Sequence, residues 1–121
     1  MTEKIKHVNI RQNIGAFKPL MRSPSLQAAM MVLKRGDSSS DEIENEHPKA
    51  EQWLFVISGI GVAKVGRRRV VLGEGVLLLI PKKAPHQITN TGRARLITLN
   101  FYSPPAYTPT GNVESSVTRS R

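Results

Sequence analysis

The chain has 121 residues, with 18 Lys and Arg against nine Asp and Glu, and no cysteine. That length suits one domain, and the lack of cysteine excludes disulfides and thiolate metal sites, leaving His, carboxylate and amide groups as ligands. A formal net charge of +9 raises an anionic partner, but the basic residues are spread over several turns and no RNA-binding signature is present, so nucleic acid is not expected as a partner.

The opening "MTEKIKHVNI" carries charges without the apolar core of a signal peptide. Unbroken apolar runs such as Val76 to Ile80 are far too short for a bilayer span, so a soluble, cytoplasmic protein without membrane contact is expected. Residues 1–25 read as an N-terminal arm that packs on the body of the domain. From there short runs of apolar and β-branched residues alternate with Gly, Pro, Asn and Ser, and helical periodicity is absent. The spacing predicts strands near Leu26–Leu33, Gln52–Ile57, Gly61–Val65, Arg69–Leu72, Val76–Ile80, His86–Asn90 and Ala94–Phe101. The segments between them, "KRGDSSSD", "SGIG", "VGRR", "LGEG", "PKKAP" and "NTGR", are rich in turn formers. No segment between strands is long enough for a crossover helix, so the strands should pair antiparallel in a sandwich, barrel or jelly roll over residues 26–103. Residues 104–121, rich in Pro, Ser and Thr, read as a polar tail without core packing and with a mobile end.

The segment from Gln52 to Ile57 is apolar on both faces: Leu54 and Val56 point one way, Trp53, Phe55 and Ile57 the other. The second face needs a cover. Both the N-terminal arm and a second copy of the chain are expected to supply it, in a homodimer.

Six of the nine acids, Asp37, Asp41, Glu42, Glu44, Glu46 and Glu51, crowd into fifteen residues around His47, in and before "NEHPKAEQW". If residues 45–47 are extended, Asn45 and His47 project together, and Gln52 opens the next strand within reach. A second cluster, "GVLLLIPKKAPHQITN", ends an apolar run at Pro81, turns, and opens a new strand with His86. Gly75, Pro81, His86 and Asn90 fall at the spacings Gly, five residues, Pro, four residues, His, three residues, Asn. With these two clusters the chain resembles a single-domain cupin. The family's second motif is matched except that Lys83 replaces its middle glycine. In the first motif Asn45 stands where the family has its first histidine, His47 matches the second, and Gln52 occupies the glutamate slot, with Gly59 following.

The resemblance implies an all-β fold, an antiparallel double-stranded β-helix or jelly-roll cupin barrel, holding one divalent metal such as Zn, Fe, Ni or Mn. Carried over residue by residue, the ligands are His47, Gln52, His86 and Asn45. Glu51 is an alternative carboxylate, although it is one residue out of step with the strand's inward side. An amide oxygen is a weaker donor than imidazole and brings no negative charge. The acid-rich segment would favour a cation at the barrel mouth. Inward Leu54, Val56 and Ile88 would make the apolar wall for a small-molecule ligand. Lys82 and Lys83 at the rim would attract an anionic one. Dioxygenase, isomerase and lyase chemistries all remain open, as does a non-catalytic binding or sensing barrel without metal. Gly59 and Gly61 are not a phosphate loop, since no helix follows, and Ser38–Ser40 have no histidine at a triad spacing.

Overall fold

The computed structural model describes residues 5–40, 43, 45 and 47–118. Eight strands carry the fold: β1 (Phe17–Arg22), β2 (Gln27–Leu33), β3 (Glu51–Ser58), β4 (Gly61–Val65), β5 (Arg68–Leu72), β6 (Leu77–Ile80), β7 (His86–Asn90) and β8 (Leu96–Ser103). A short 3-10 turn at Ile10–Gln12 precedes them, and one helical turn, α1 (Ser115–Thr118), follows. All strand pairs are antiparallel, in a five-stranded sheet ordered β1-β2-β8-β3-β6 and a three-stranded sheet ordered β5-β4-β7. This is the expected all-β jelly-roll barrel. Among the described residues no helix is long and apolar enough to cross a membrane.

The alternation of the sequence decides the inside. On β3 Gln52, Leu54 and Val56 are buried, and on β8 Leu96, Thr98, Asn100 and Tyr102 are buried. Leu54 and Val56 pack with Met31, Leu33, Leu72, Ile80, Ile88 and Leu96 in the main apolar cluster. The chain passes from the large sheet to the small one at Gly59–Gly61. A Cβ on Gly59 would lie 2.5 Å from the Arg95 carbonyl oxygen, and one on Gly61 2.5 Å from the Thr89 carbonyl oxygen. Only glycine lets the crossing hug β8 and β7 this closely.

Three expectations are corrected. The arm contains strand β1, which extends the large sheet through β2. Pro19 masked it in the sequence, but Pro is tolerated on an edge strand, and β1 is an edge. This strand lies beyond β2 and β8 from β3, so it does not cover the outer face of β3. Trp53 and Phe55 stay 36% and 37% exposed beside Leu77 and Leu79 of β6.

The segment after residue 103 is not free of core packing. Ala106, Tyr107 and Val117 are buried with Ala29, Ala50 and Tyr102 in a second apolar cluster. Buried Gln27 holds the segment down. Its Oε1 accepts from the backbone N–H groups of Ala106 and Tyr107, and its Nε2 donates to the Tyr107 carbonyl at 2.7 Å. Arg22 reinforces this by donating to the same carbonyl and pairing with Glu114 at 3.0 Å. The end of the tail, beyond residue 118, and the acids Asp41, Glu42, Glu44 and Glu46 lie outside the described residues.

Candidate functional site

His47 sits in the turn that leads into β3. The Asn45 side-chain oxygen accepts from the His47 N–H at 3.0 Å, and the His47 carbonyl accepts from the Ala50 N–H at 2.9 Å. Pro48 lies second in this four-residue turn, where its fixed φ suits the geometry. The fold-back brings the ring under the start of β3. There Nδ1 lies 3.2 Å from the Ala50 carbonyl oxygen and Nε2 lies 3.0 Å from Gln52 Oε1.

His86 opens β7 after the "PKKAP" turn. Lys83 adopts φ +67 there, the left-handed backbone for which the cupin motif uses glycine. The Lys83 N–H donates to the Pro48 carbonyl at 2.9 Å, tying the turn before His86 to the turn after His47. That tie explains how two histidines 39 positions apart in the sequence meet: their ring centroids are 5.1 Å apart. The His86 ring faces the Ala84 carbonyl through Nδ1 at 3.0 Å. His47, Gln52 and His86 are 1%, 3% and 8% exposed.

Beside these groups lies a cavity of about 840 Å³, walled by His47, Gln52, His86, Ile88, Tyr102 and Tyr107 and rimmed by Gly36–Ser40 and Gly111–Val113. The aromatic rings form a continuous chain, edge-on from His47 to Tyr102 at 5.1 Å and from Tyr102 to Tyr107 at 4.9 Å, and tilted from Tyr107 to Phe17 at 4.6 Å. The rim segment Gly36–Ser40 is stitched to β7. The Ser39 N–H donates to the Ile88 carbonyl, the Ile88 N–H to Ser39 Oγ, and the Asn90 N–H to the Asp37 carbonyl. Ser39 thus pins the rim to β7 through both its backbone N–H and its hydroxyl.

The structure thus brings His47, Gln52 and His86 together at one wall, with Ile88 beside them. Leu54 and Val56 do point inward, but they are sealed in the core and do not line the cavity. Asn45 spends its oxygen on the His47 backbone, and its buried Nδ2 has no partner among the described residues, so it turns a donor, not a lone pair, toward its surroundings. Glu51 accepts from Trp53 Nε1 at 2.8 Å on the outer face. Lys82 and Lys83 are exposed and stand off the cavity wall. Among the described residues no three His, Asp or Glu groups converge on one point. Among the described residues the donor set there is two imidazoles and one amide oxygen.

Sequence reasoning missed two buried residues that stand behind this wall, Thr98 and Asn100. Gln52 Nε2 donates to Asn100 Oδ1 at 2.9 Å, Asn100 Nδ2 to Thr98 Oγ1 at 2.9 Å, and Thr98 Oγ1 to the Met31 carbonyl at 3.0 Å. Their signal in the sequence was parity: in "LITLNFYS" the polar residues share the inward face with Leu96 and Tyr102. Tyr107 was missed because it lies in the segment read as a tail.

The comparisons agree with this architecture. The family model for the cupin domain (Cupin_2) matches residues 29–102. L612 of Acanthamoeba polyphaga mimivirus is 30% identical over 95 residues, covering 76% of this chain. YrkC of Bacillus subtilis is 27% identical over 112 residues, covering 88% of it. The chain spans 58% of the length of each of these relatives. The crystal structure of BH2720 from Bacillus halodurans superposes with a TM-score of 0.77 at 27% identity, over 92% of this chain and 89% of the other. The two-sheet barrel, the paired histidine turns and the match over most of the strands have one reading: this chain belongs to the cupin family.

Proposed function

We propose that the barrel holds a divalent cation between His47, His86 and Gln52 Oε1 and binds a small molecule in the adjoining cavity. One observation carries this reading. Both ring nitrogens of His47 face oxygen atoms, Nδ1 the Ala50 carbonyl and Nε2 the Gln52 side-chain oxygen. A neutral imidazole has one N–H and one lone pair, so it can satisfy only one of these contacts as a donor. A cation would resolve the conflict: with the His47 proton on Nδ1 and bonded to Ala50, the Nε2 lone pair and the amide oxygen would both be available to hold it. His86 supports the same arrangement, because a proton on its Nδ1, donated to Ala84, leaves the lone pair of the neutral ring on Nε2.

With no carboxylate in the described donor set, the cation would be held less tightly than in a site with an anionic ligand. Bound, it would act as a Lewis acid on a ligand oxygen. Ile88, Tyr102 and Tyr107 would seat the ligand's apolar part, and the sealed inner wall would keep water from its back.

Elemental analysis of tag-free protein tests this. Wild type is expected to carry close to one metal per chain and His86→Ala almost none. Equal, negligible metal in both overturns the reading. A second reading, a metal-free binding or sensing barrel, is favoured by the hydrogen-bonded chain from Gln52 to Met31, which satisfies itself without a cation. It predicts a ligand-induced rise in melting temperature that a chelator leaves unchanged, whereas the metal reading predicts that the chelator removes it.

The same proposal includes a homodimer through the outer face of β3, β6 and β8. Trp53 pairs across strands with Leu79, and Phe55 with Leu77, all partly exposed. The outward positions of these three strands carry no Lys or Arg in a chain of net charge +9. Apart from Glu51 at the start of β3, that face can therefore meet its own copy without opposing like charges. Light scattering is expected to give twice the mass of one chain, and half that value for Phe55→Lys. A wild-type monomer overturns the dimer.

A further inference from the structure

We infer that Thr98 and Asn100 are positioning residues that fix which end of the Gln52 amide faces His47, and so whether this corner of the barrel presents an acceptor. The inference deepens the proposed cation site and rests on it for its consequence, but not for its geometry.

The direction of the chain is set from its far end. The Met31 carbonyl can only accept, and Thr98 Oγ1 lies 3.0 Å from it, so the hydroxyl proton must point there. With its one proton committed, Thr98 Oγ1 can only accept from its other neighbour, Asn100, which must turn Nδ2 toward it. Asn100 Oδ1 then faces Gln52, so Gln52 must offer Nε2. Gln52 Oε1 is left facing His47 Nε2 at 3.0 Å.

The strand register builds this line of contacts. Gln52, Leu54 and Val56 of β3 stand opposite Tyr102, Asn100 and Thr98 of β8, all on the inward face. Gln52 therefore reaches Asn100 diagonally, over the top of Leu54, a separation that long side chains span. All members are buried, so water does not compete for these atoms. Reversing the chain would set the lone pairs of Thr98 Oγ1 and the Met31 carbonyl against each other in a dry interior. The residual contact from Asn100 Nδ2 to the Thr98 backbone carbonyl, 3.5 Å, is too long to hold the amide alone.

The consequence for His47 differs between the two states. In the metal-free protein the proton of the neutral ring is expected on Nε2, the nitrogen with the shorter contact, 3.0 Å to Gln52 Oε1 against 3.2 Å from Nδ1 to Ala50. With a cation present the proton would sit on Nδ1, leaving Nε2 and Gln52 Oε1 to hold the metal. Thr98 thus acts on the metal corner through two intervening side chains.

The experiment compares wild type with Thr98→Val and Thr98→Ser, metal-free and at alkaline pH, by 15N spectroscopy of the histidine rings, followed by titration of each with zinc. In wild type and Thr98→Ser the His47 proton is expected on Nε2. In Thr98→Val, freed of its hydroxyl, Gln52 can turn Nε2 to the ring, and the proton is expected on Nδ1. Zinc affinity should fall 10- to 100-fold in Thr98→Val and recover in Thr98→Ser, the range typical of groups that orient a ligand. If the valine variant does not fold, Thr98→Ala carries the same comparison. An identical His47 tautomer in wild type and the hydroxyl-less variant overturns the positioning role. Absence of zinc binding by wild type overturns the cation site instead, and the tautomer comparison still decides the role of Thr98.

Discussion

The inside of the barrel has two halves that are equally buried and differently held. In the deeper half Leu54, Val56, Leu72, Ile80 and Leu96 fill space against one another, and each contact is exchangeable for another of similar volume. In the other half, which opens at the mouth with His47 and Gln52 and runs down β8 through Asn100 and Thr98, opposite Leu54 and Val56, each side chain has a specific partner at about hydrogen-bond distance, and each atom's role depends on the next. A strand advances roughly 7 Å over two residues, so one step along β3, from Gln52 to Leu54, crosses the boundary. Burial alone therefore does not mark function in this molecule. What marks it is the change from generic packing to assigned direction, and that direction has meaning only if the deeper half is rigid enough to hold it.

Leu54→Ala should break the comparison from below. Truncating a fully buried leucine should cost about 2–5 kcal/mol, read from the midpoint of urea unfolding. The fraction that remains folded should keep the metal stoichiometry of wild type. If metal is lost in proportion greater than folding, the two halves are not separable.

Gln27→Leu should come next in size. It leaves the Ala106 and Tyr107 N–H groups and one interaction of the Tyr107 carbonyl without Gln27 in a buried setting. A loss of about 1–3 kcal/mol is expected, together with faster proteolysis within residues 104–118. Unchanged proteolysis would mean that Arg22 and the Tyr107 packing hold that segment by themselves.

The smallest effect should be a gain. Lys83 occupies a left-handed backbone that costs a side-chain-bearing residue roughly 1–2 kcal/mol, part of which glycine returns as unfolded-chain entropy. Lys83→Gly is expected to raise stability by up to about 1 kcal/mol. Because the same residue's N–H holds the two histidine turns together, zinc affinity should stay as in wild type. A destabilised Lys83→Gly would mean that the lysine side chain makes a compensating contact.

Much of the fold was legible because strand parity is a local property. Gly61–Val65 and His86–Asn90 were read at their observed limits, and β2, β3, β5, β6 and β8 within two residues at each end. The convergence of His47 and His86 followed from motif spacing, and Gln52 from its place in that motif. Depth along the barrel was not legible. Leu54 and Val56 have the inward parity of Gln52, but nothing local tells a residue at the mouth from one sealed beneath it. Strand β1 was hidden by Pro19, whose exclusion from strands does not apply at a sheet edge. The anchoring of the last segment depends on Gln27, 79 positions before Ala106, and the orienting of Gln52 depends on Thr98 and Asn100, on a strand read only for its apolar content. Such pairings exist only once the register of distant strands is set.

The most direct measurement is calorimetric titration of zinc into metal-free, tag-free wild type, Gln52→Glu and Gln52→Leu. An acceptor at residue 52 that shares a cation with His47 predicts the tightest binding for the glutamate, wild type next, and the leucine at least about tenfold weaker than wild type, since loss of one ligand removes on the order of 1.4 kcal/mol or more. Identical affinities in the three proteins, or no binding in any, would contradict the account.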